Sequence, residues 1–281
     1  MPFITHPSGQ TTHYLVDDFT DPWKPKETII LQGGFGRHSA FWYHWVPILS
    51  RHYRVIRRDT RGHGLSSSPP FPSTDSSYDF STDGIIGEIV DTLDQLGLKK
   101  VHFLGESTSG ILGCILAAKH PDRLLSLTIC STPTHLPLGA QKLFAFGKSD
   151  WPTACLELGS RGWAQALSEV PGTMPSQEKG YAAWWVEQVG ISKGEGLAGY
   201  ANFLCSVDCR PHLAQITVPT LILAPMRSAA TTVAEQESIQ AQIRGSVLEF
   251  IDAAGHEIYV QEPEKCQQAF MSFLAGLPRG A

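Results

Sequence analysis

The chain has 281 residues, 42% hydrophobic and 17% charged, with a net charge of −5; this allows one large α/β domain or a domain with an insertion, and offers no basic footprint for nucleic acid. No apolar stretch reaches the roughly 18 residues that a membrane helix needs, and the opening "MPFITHPSGQTTHYLVDD" lacks the basic-then-apolar pattern of a secretory signal. Cys114, Cys130, Cys155, Cys205, Cys209 and Cys266 have no paired spacing, which predicts reduced thiols, no metal site and a cytoplasmic location.

In chain order, "TTHYLVDD" reads as an antiparallel edge strand, and "ETIILQ" (27–32) as the first strand covered on both faces. The glycine-rich "GGFGRHSAFW" (33–42) follows it as a tight turn whose backbone amides can act as donors. "YRVIRRD" (53–59) is the next strand and leads into the glycine loop "RRDTRGHGLSS", where Asp59 reads as a brace and His63 as structural. "SSSPPFPSTDSS" (66–77) is a loop by composition. In "DGIIGEIVDTLDQLGL" (83–98), Ile85, Ile86, Ile89, Val90, Leu93 and Leu96 form one helical stripe, stopped at Gly97.

"KVHFLG" (100–105) is a strand running straight into "ESTSG" and the helix pattern "TSGILGCILAAKH". Ser107 at this junction has two readings: a nucleophile on a strand-to-helix turn, where helix N–H groups stabilise a developing oxyanion, or an ordinary helix cap. The strand "LLSLTIC" (124–130) follows. Strand–helix alternation then breaks between residues 134 and 215, a region with four of the seven tryptophans: Trp151, Trp163, Trp184 and Trp185. This predicts a helical insertion over the C-terminal edge of the sheet, where open α/β sheets bind ligands. The expected organisation is a core of residues 1–133 and 207–281 with a helical cap of 134–206. Asp208 reads as a helix cap, and "PTLILAP" (219–225) and "SVLEFID" (246–252) complete the sheet. "IDAAGHEIYVQ" then places His256 after the last strand, opening the final helix. Alternation of this kind predicts a mostly parallel sheet flanked by helices.

Four elements in this order, "ILQGGFGRHSAFW", "RRDTRGHGLSS", "VHFLGESTSG" and "IDAAGHEIYVQ", resemble the α/β-hydrolase fold family over residues 27–130 and 207–275, in particular its esterases, enol-lactonases and carbon–carbon bond hydrolases with a helical cap. The resemblance implies Ser107 as nucleophile, His256 as general base, and the Phe35 and Thr108 N–H groups as oxyanion donors. Gly34, Glu106, Trp184 and Trp185 are the expected substrate-binding residues.

The chain departs from the family pattern at the third triad position, where Ser228 stands in "LAPMRSAATT" and an aspartate is expected. The other family location, "CSTPTH" (130–135), has no acid either. Such an acid fixes the imidazole tautomer and stabilises the imidazolium, and a neutral replacement that gives the wrong tautomer costs on the order of 10⁴ in turnover. A Ser–His dyad, an acid relocated to Glu235, Glu237 or Asp252, and an altered chemistry all stay open. The expected function is cleavage of an ester, lactone or activated carbon–carbon bond in a small, mainly apolar or aromatic substrate, with no cofactor. The competing reading is a slow or non-hydrolytic relative: a lyase, a cyclase or a ligand-binding receptor. The expected partner is the small-molecule substrate, with a homodimer as an open option and neither nucleic acid nor membrane.

Overall fold

The structure, a computed structural model, describes residues 2–73, 80–173, 179–253 and 255–278. Among the described residues eight strands form one sheet: β1 (Phe3–Thr5), β2 (Thr11–Asp17), β3 (Thr28–Gln32), β4 (Arg54–Arg58), β5 (Val101–Glu106), β6 (Leu124–Cys130), β7 (Thr220–Pro225) and β8 (Val247–Ile251). Their spatial order is β1-β2-β4-β3-β5-β6-β7-β8. β4 through β8 pair in parallel, while β1 and β2 add an antiparallel hairpin at one edge. The continuous apolar runs β3, β5 and β7 are buried at every residue, as expected for strands covered on both faces.

The helices outside the insertion fill the crossovers. They are α1 (Val46–Leu49), α2 (Thr82–Gln95) and α3 (Thr108–Lys119), followed by four helices between β6 and β7. The latter are α4 (Leu138–Phe144), α5 (Trp151–Ser168, kinked at Gly159), α6 (Lys179–Val189) and α7 (Gly194–Leu204). After β7 come α8 (Val233–Gln242), the short α9 (Ile258–Gln261) and α10 (Pro263–Ala275). α2 starts at Ser81, whose side chain caps the Gly84 N–H, and it buries Ile85, Ile86, Ile89 and Leu93 as its stripe requires. No strand occurs among the described residues of 134–206, and an antiparallel bridge between His135 and Asp208 closes the base of that segment. Residues 74–77 of the expected Ser/Pro loop lie outside the described residues.

α3 is buried along Thr108–Ala117, so it packs as a central helix against β5 and β6. Burying each of its aliphatic side chains stabilises the fold by about 1.5–3 kcal/mol. The start of α3, with the serine turn before it, is thereby held at the C-terminal edge of the sheet. No helix among the described residues is long and apolar enough to cross a membrane, and no group of three or more His, Cys, Asp or Glu there can hold a metal. All six cysteines are free thiols.

Candidate active site

β5 ends at Glu106, and Ser107 turns the chain into α3 with φ 52° and ψ −124°, a conformation that costs a non-glycine residue about 1–3 kcal/mol. Several bonds hold it there. The Ser107 N–H donates to the Cys130 carbonyl at 2.8 Å and the Gly110 N–H to the Ser107 carbonyl at 2.9 Å. Gly105 is required next to the turn, because a Cβ there would lie 2.5 Å from the Ser109 carbonyl oxygen. Ser107 makes no side-chain capping bond, which disposes of the helix-cap reading. Ser109 is no cap either. Its hydroxyl donates to the Gly33 carbonyl at 2.6 Å and accepts from Gln32 Nε2 at 3.1 Å, tying the serine turn to the glycine-rich turn.

His256 lies between β8 and α9, with Nε2 2.9 Å from Ser107 Oγ and Nδ1 3.1 Å from Ser228 Oγ. Ser228 Oγ also accepts the Ala230 and Thr231 N–H groups at 3.1 and 3.3 Å. With two amide donors on its lone pairs, the Ser228 hydroxyl keeps its O–H for Nδ1; the tautomer that lets Nε2 accept from Ser107 carries its proton on Nδ1, and Ser228 accepts that proton only by releasing one amide. Burial, reinforced by the nearby Arg37 charge, pushes His256 down to about 3. Among the described residues no carboxylate touches Nδ1. Glu235 accepts the Thr134 N–H and hydroxyl, both at 2.9 Å; Asp252 pairs with Arg227 at 2.6 Å; Glu237 is exposed. The three relocated acids considered from sequence are therefore all engaged or pointed elsewhere.

The expected oxyanion donors flank Ser107, with one difference. The Phe35 N–H is not open, because it donates to Thr108 Oγ1 at 3.0 Å. Thr108 is the first residue of α3, where a helix leaves its N–H groups without intrahelical partners. Gly34 touches the serine turn directly: a Cβ on it would lie 2.7 Å from Ser107 Cβ, and its N–H donates to Glu106 Oε2 at 2.8 Å.

Ser107 and His256 open into a narrow cavity of about 50 Å³ for a water-sized sphere, room for only a few water molecules. Phe35, Leu136, Phe144, Trp151, Trp163 and Leu167 line it. Phe35 packs on Trp151 and Trp163 with ring centroids 4.5 and 4.9 Å apart. The tryptophans expected at the substrate are displaced in this respect. Trp184 packs against Phe41, Tyr43 and Tyr181, away from the cavity, and Trp185 is buried with its indole N–H on Glu257 at 2.9 Å. Trp151 and Trp163 take the lining positions because α5, not α6, passes over the serine turn.

Sequence reasoning missed the charged cluster behind the site. Arg37 Nε donates to Glu257 Oε1 at 2.6 Å, a second guanidinium nitrogen, Nη2, donates to the same oxygen, and Nη1 donates to the Phe35 carbonyl at 3.1 Å. The Tyr181 hydroxyl donates to Glu257 Oε2 at 2.5 Å. Glu257, beside His256, thus carries bonds from the glycine-rich turn and from α6. The only local signals were an arginine in "GGFGRH" and a glutamate beside the histidine, 220 residues apart. Glu106 is also fully buried. Burial foremost, with the Glu257 charge, pushes its carboxyl up to about 7 against the opposing pull of Arg37 and the Gly34 N–H.

Residues 27–263 match the family model described as the alpha/beta hydrolase fold. 3-Oxoadipate enol-lactonase 1 of Acinetobacter baylyi is 26% identical over 89% of this chain and 89% of its own length. The karrikin insensitive 2 receptor IA of Petunia hybrida is 25% identical over 85% of this chain and 87% of its own length. Among solved structures, the enol-lactonase from Burkholderia xenovorans LB400 superposes with a TM-score of 0.85 at 24% identity, covering 98% of this chain and all of that one.

Proposed function

From the premise that this chain belongs to the α/β-hydrolase fold family, we propose that it is a serine hydrolase cleaving an ester or lactone bond of a small, mainly apolar substrate. The observation that carries this reading is the 2.9 Å contact of His256 Nε2 with Ser107 Oγ, on a strained turn at the floor of an aromatic cavity. Related proteins named as enol-lactonases support the bond type.

The Ser107 hydroxyl passes its proton to His256 Nε2 as Oγ attacks the substrate carbonyl. The oxyanion takes the Phe35 and Thr108 N–H groups, so the Thr108 hydroxyl must first turn away from the Phe35 amide. The imidazolium proton then goes to the leaving oxygen, which stays tethered to the acyl chain when the substrate is a lactone. Water, deprotonated by His256, releases the acid and restores Ser107. Residues 134–206 serve as the cap. With so little free volume the acyl part must be short, or α5 must move outward to admit a larger one. A cytoplasmic location fits the free thiols.

Wild type and Ser107→Ala are to be compared on p-nitrophenyl acetate, p-nitrophenyl butyrate and a panel of five- and six-membered lactones. The proposal expects turnover by wild type on at least one class and a loss on the order of 10⁴-fold or more in the variant. Equal rates on every substrate would count against it. The second reading, a slow-turnover binder, draws on the neutral Ser228 at Nδ1 and on the receptor relative. It expects saturable ligand binding with no steady-state product.

A further inference from the structure

We propose that Glu106 supplies the negative charge that balances the His256 imidazolium, acting from the Nε2 side in place of an acid at position 228. The inference rests on the serine-hydrolase reading.

Glu106 Oε2 is anchored by the Gly34 N–H at 2.8 Å, while Oε1 is wholly buried and has no hydrogen-bond partner among the described residues. An unpaired buried carboxylate oxygen is costly unless a charge or proton arrives to meet it. His256 Nε2, 3.8 Å from Oε1, is the atom that gains a proton during attack. At Nδ1 the partner is a serine hydroxyl, which orients the ring but carries no charge.

The charge count agrees. Facing Glu106 are Arg37 from the turn after β3, Glu257 and Tyr259 from the segment after His256, and Cys130 at the end of β6. Burial keeps the Tyr259 hydroxyl and Cys130 thiol protonated. Arg37 spends its hydrogen bonds on Glu257 and the Phe35 carbonyl, with Nε 3.9 Å from Glu106. With both glutamates ionised, this closed cluster holds one net negative charge at rest, and protonating His256 brings it to neutrality. In the step itself, the Ser107 O–H electron pair forms the new C–O bond and its proton goes to Nε2. The proton later leaves with the electron pair of the broken C–O bond, and Glu106 forms no bond at any stage. It is a positioning and charge-balancing residue acting through His256.

Glu106 must be ionised to do this, and burial holds it at about 7, whereas His256 is held at about 3. Activity therefore falls as pH drops through about 7, well above the range where His256 alone would report.

The test uses p-nitrophenyl acetate with wild type, Glu106→Gln, Ser228→Asp and the Glu106→Gln/Ser228→Asp double variant, each checked by thermal melting. The expected result is a kcat loss of roughly 10²–10³-fold in Glu106→Gln with KM within about threefold, and loss of the acid limb near pH 7. The double variant should regain about tenfold or more, since a carboxylate on Nδ1 replaces the missing charge; a merely structural defect at Glu106 would not be repaired there. Ser228→Asp alone keeps Glu106 intact and should gain less than about tenfold. The proposal is overturned by a wild-type rate and pH profile in Glu106→Gln, by no rescue in the double variant, or by a gain near 10⁴ in Ser228→Asp alone, the size of a missing acid. Ser107→Ala separates the two levels. If it matches wild type, the hydrolase reading fails; if it is inactive while Glu106→Gln is normal, only the role of Glu106 fails.

Discussion

At the scale of single residues, the site depends on close approaches that leave no room for a methyl group. Gly34→Ala would push a Cβ against Ser107 Cβ and the Glu106 carbonyl, at 2.7 and 3.0 Å, so the serine turn or the glycine-rich turn must shift. A displacement of about 1 Å at a reacting atom costs on the order of 10² in rate, and that loss in kcat/KM is expected on p-nitrophenyl acetate. Ser109 is informative in another way. In the usual Gly-x-Ser-x-Gly spelling its place is a glycine, yet here its hydroxyl bonds the Gly33 carbonyl and the Gln32 amide. Restoring the usual spelling with Ser109→Gly should therefore destabilise the protein by about 1–3 kcal/mol, read from urea unfolding. An unchanged midpoint would make those bonds dispensable. The residues 107 and 256 were legible in the sequence because each sits where a strand hands over to a helix. Ser228 was legible as a departure. The bonds of Ser109 were not, because they join turns 76 residues apart.

At the scale of elements, the strands followed directly from apolar runs. "PTLILAP" became Thr220–Pro225 and "LLSLTIC" became Leu124–Cys130 without a shift in core residues. The three-residue β1 escaped notice because so short a run has no period of its own. The tryptophans were misjudged for a different reason. Apolar spacing marks which helix faces are covered, but not whether the cover is a cavity or a neighbouring ring, and α6 turns Trp185 toward Glu257 and Trp184 toward Phe41. The Tyr181 and Trp185 bonds to Glu257 are what fasten α6 to the turn after β8. Tyr181→Phe combined with Trp185→Phe should lower stability by about 3–6 kcal/mol, as hydrogen bonds to a buried charge contribute about 1.5–3 kcal/mol each. The same pair should speed limited proteolysis within 179–204; cleavage at the wild-type rate would show that α6 is held by packing alone.

At the scale of the whole molecule, the burial that shapes the site also sets its response to acid. His256 and His63 are held down to about 3 and about 4 by burial, and His38 and His102 are shifted the same way. Their depressed values mean that below pH 6.5 the unfolded chain takes up protons that the folded chain refuses, so stability falls with pH. Glu106, raised to about 7, works in the opposite sense between pH 7 and 4.5. Four depressed histidines outweigh one raised carboxyl, so the unfolded chain binds more protons and stability falls as pH drops from 6.5 to 4.5. Urea unfolding at pH 7.5, 6 and 5 checks the sign, and a stability that rose on acidification would refute it. The α/β architecture was readable from alternation alone, whereas the Arg37–Glu257–Glu106 cluster was not, since it assembles only when three loops meet at one sheet edge.

The central claim, nucleophilic attack by Ser107, is tested most directly by trapping the acyl-enzyme. Wild type is mixed with p-nitrophenyl acetate, quenched in acid during turnover, digested and read by mass spectrometry. The account predicts one added acetyl group, located on Ser107 and absent from Ser107→Ala. Turnover with no acetyl on Ser107, or with the same label on another residue in both proteins, would contradict it.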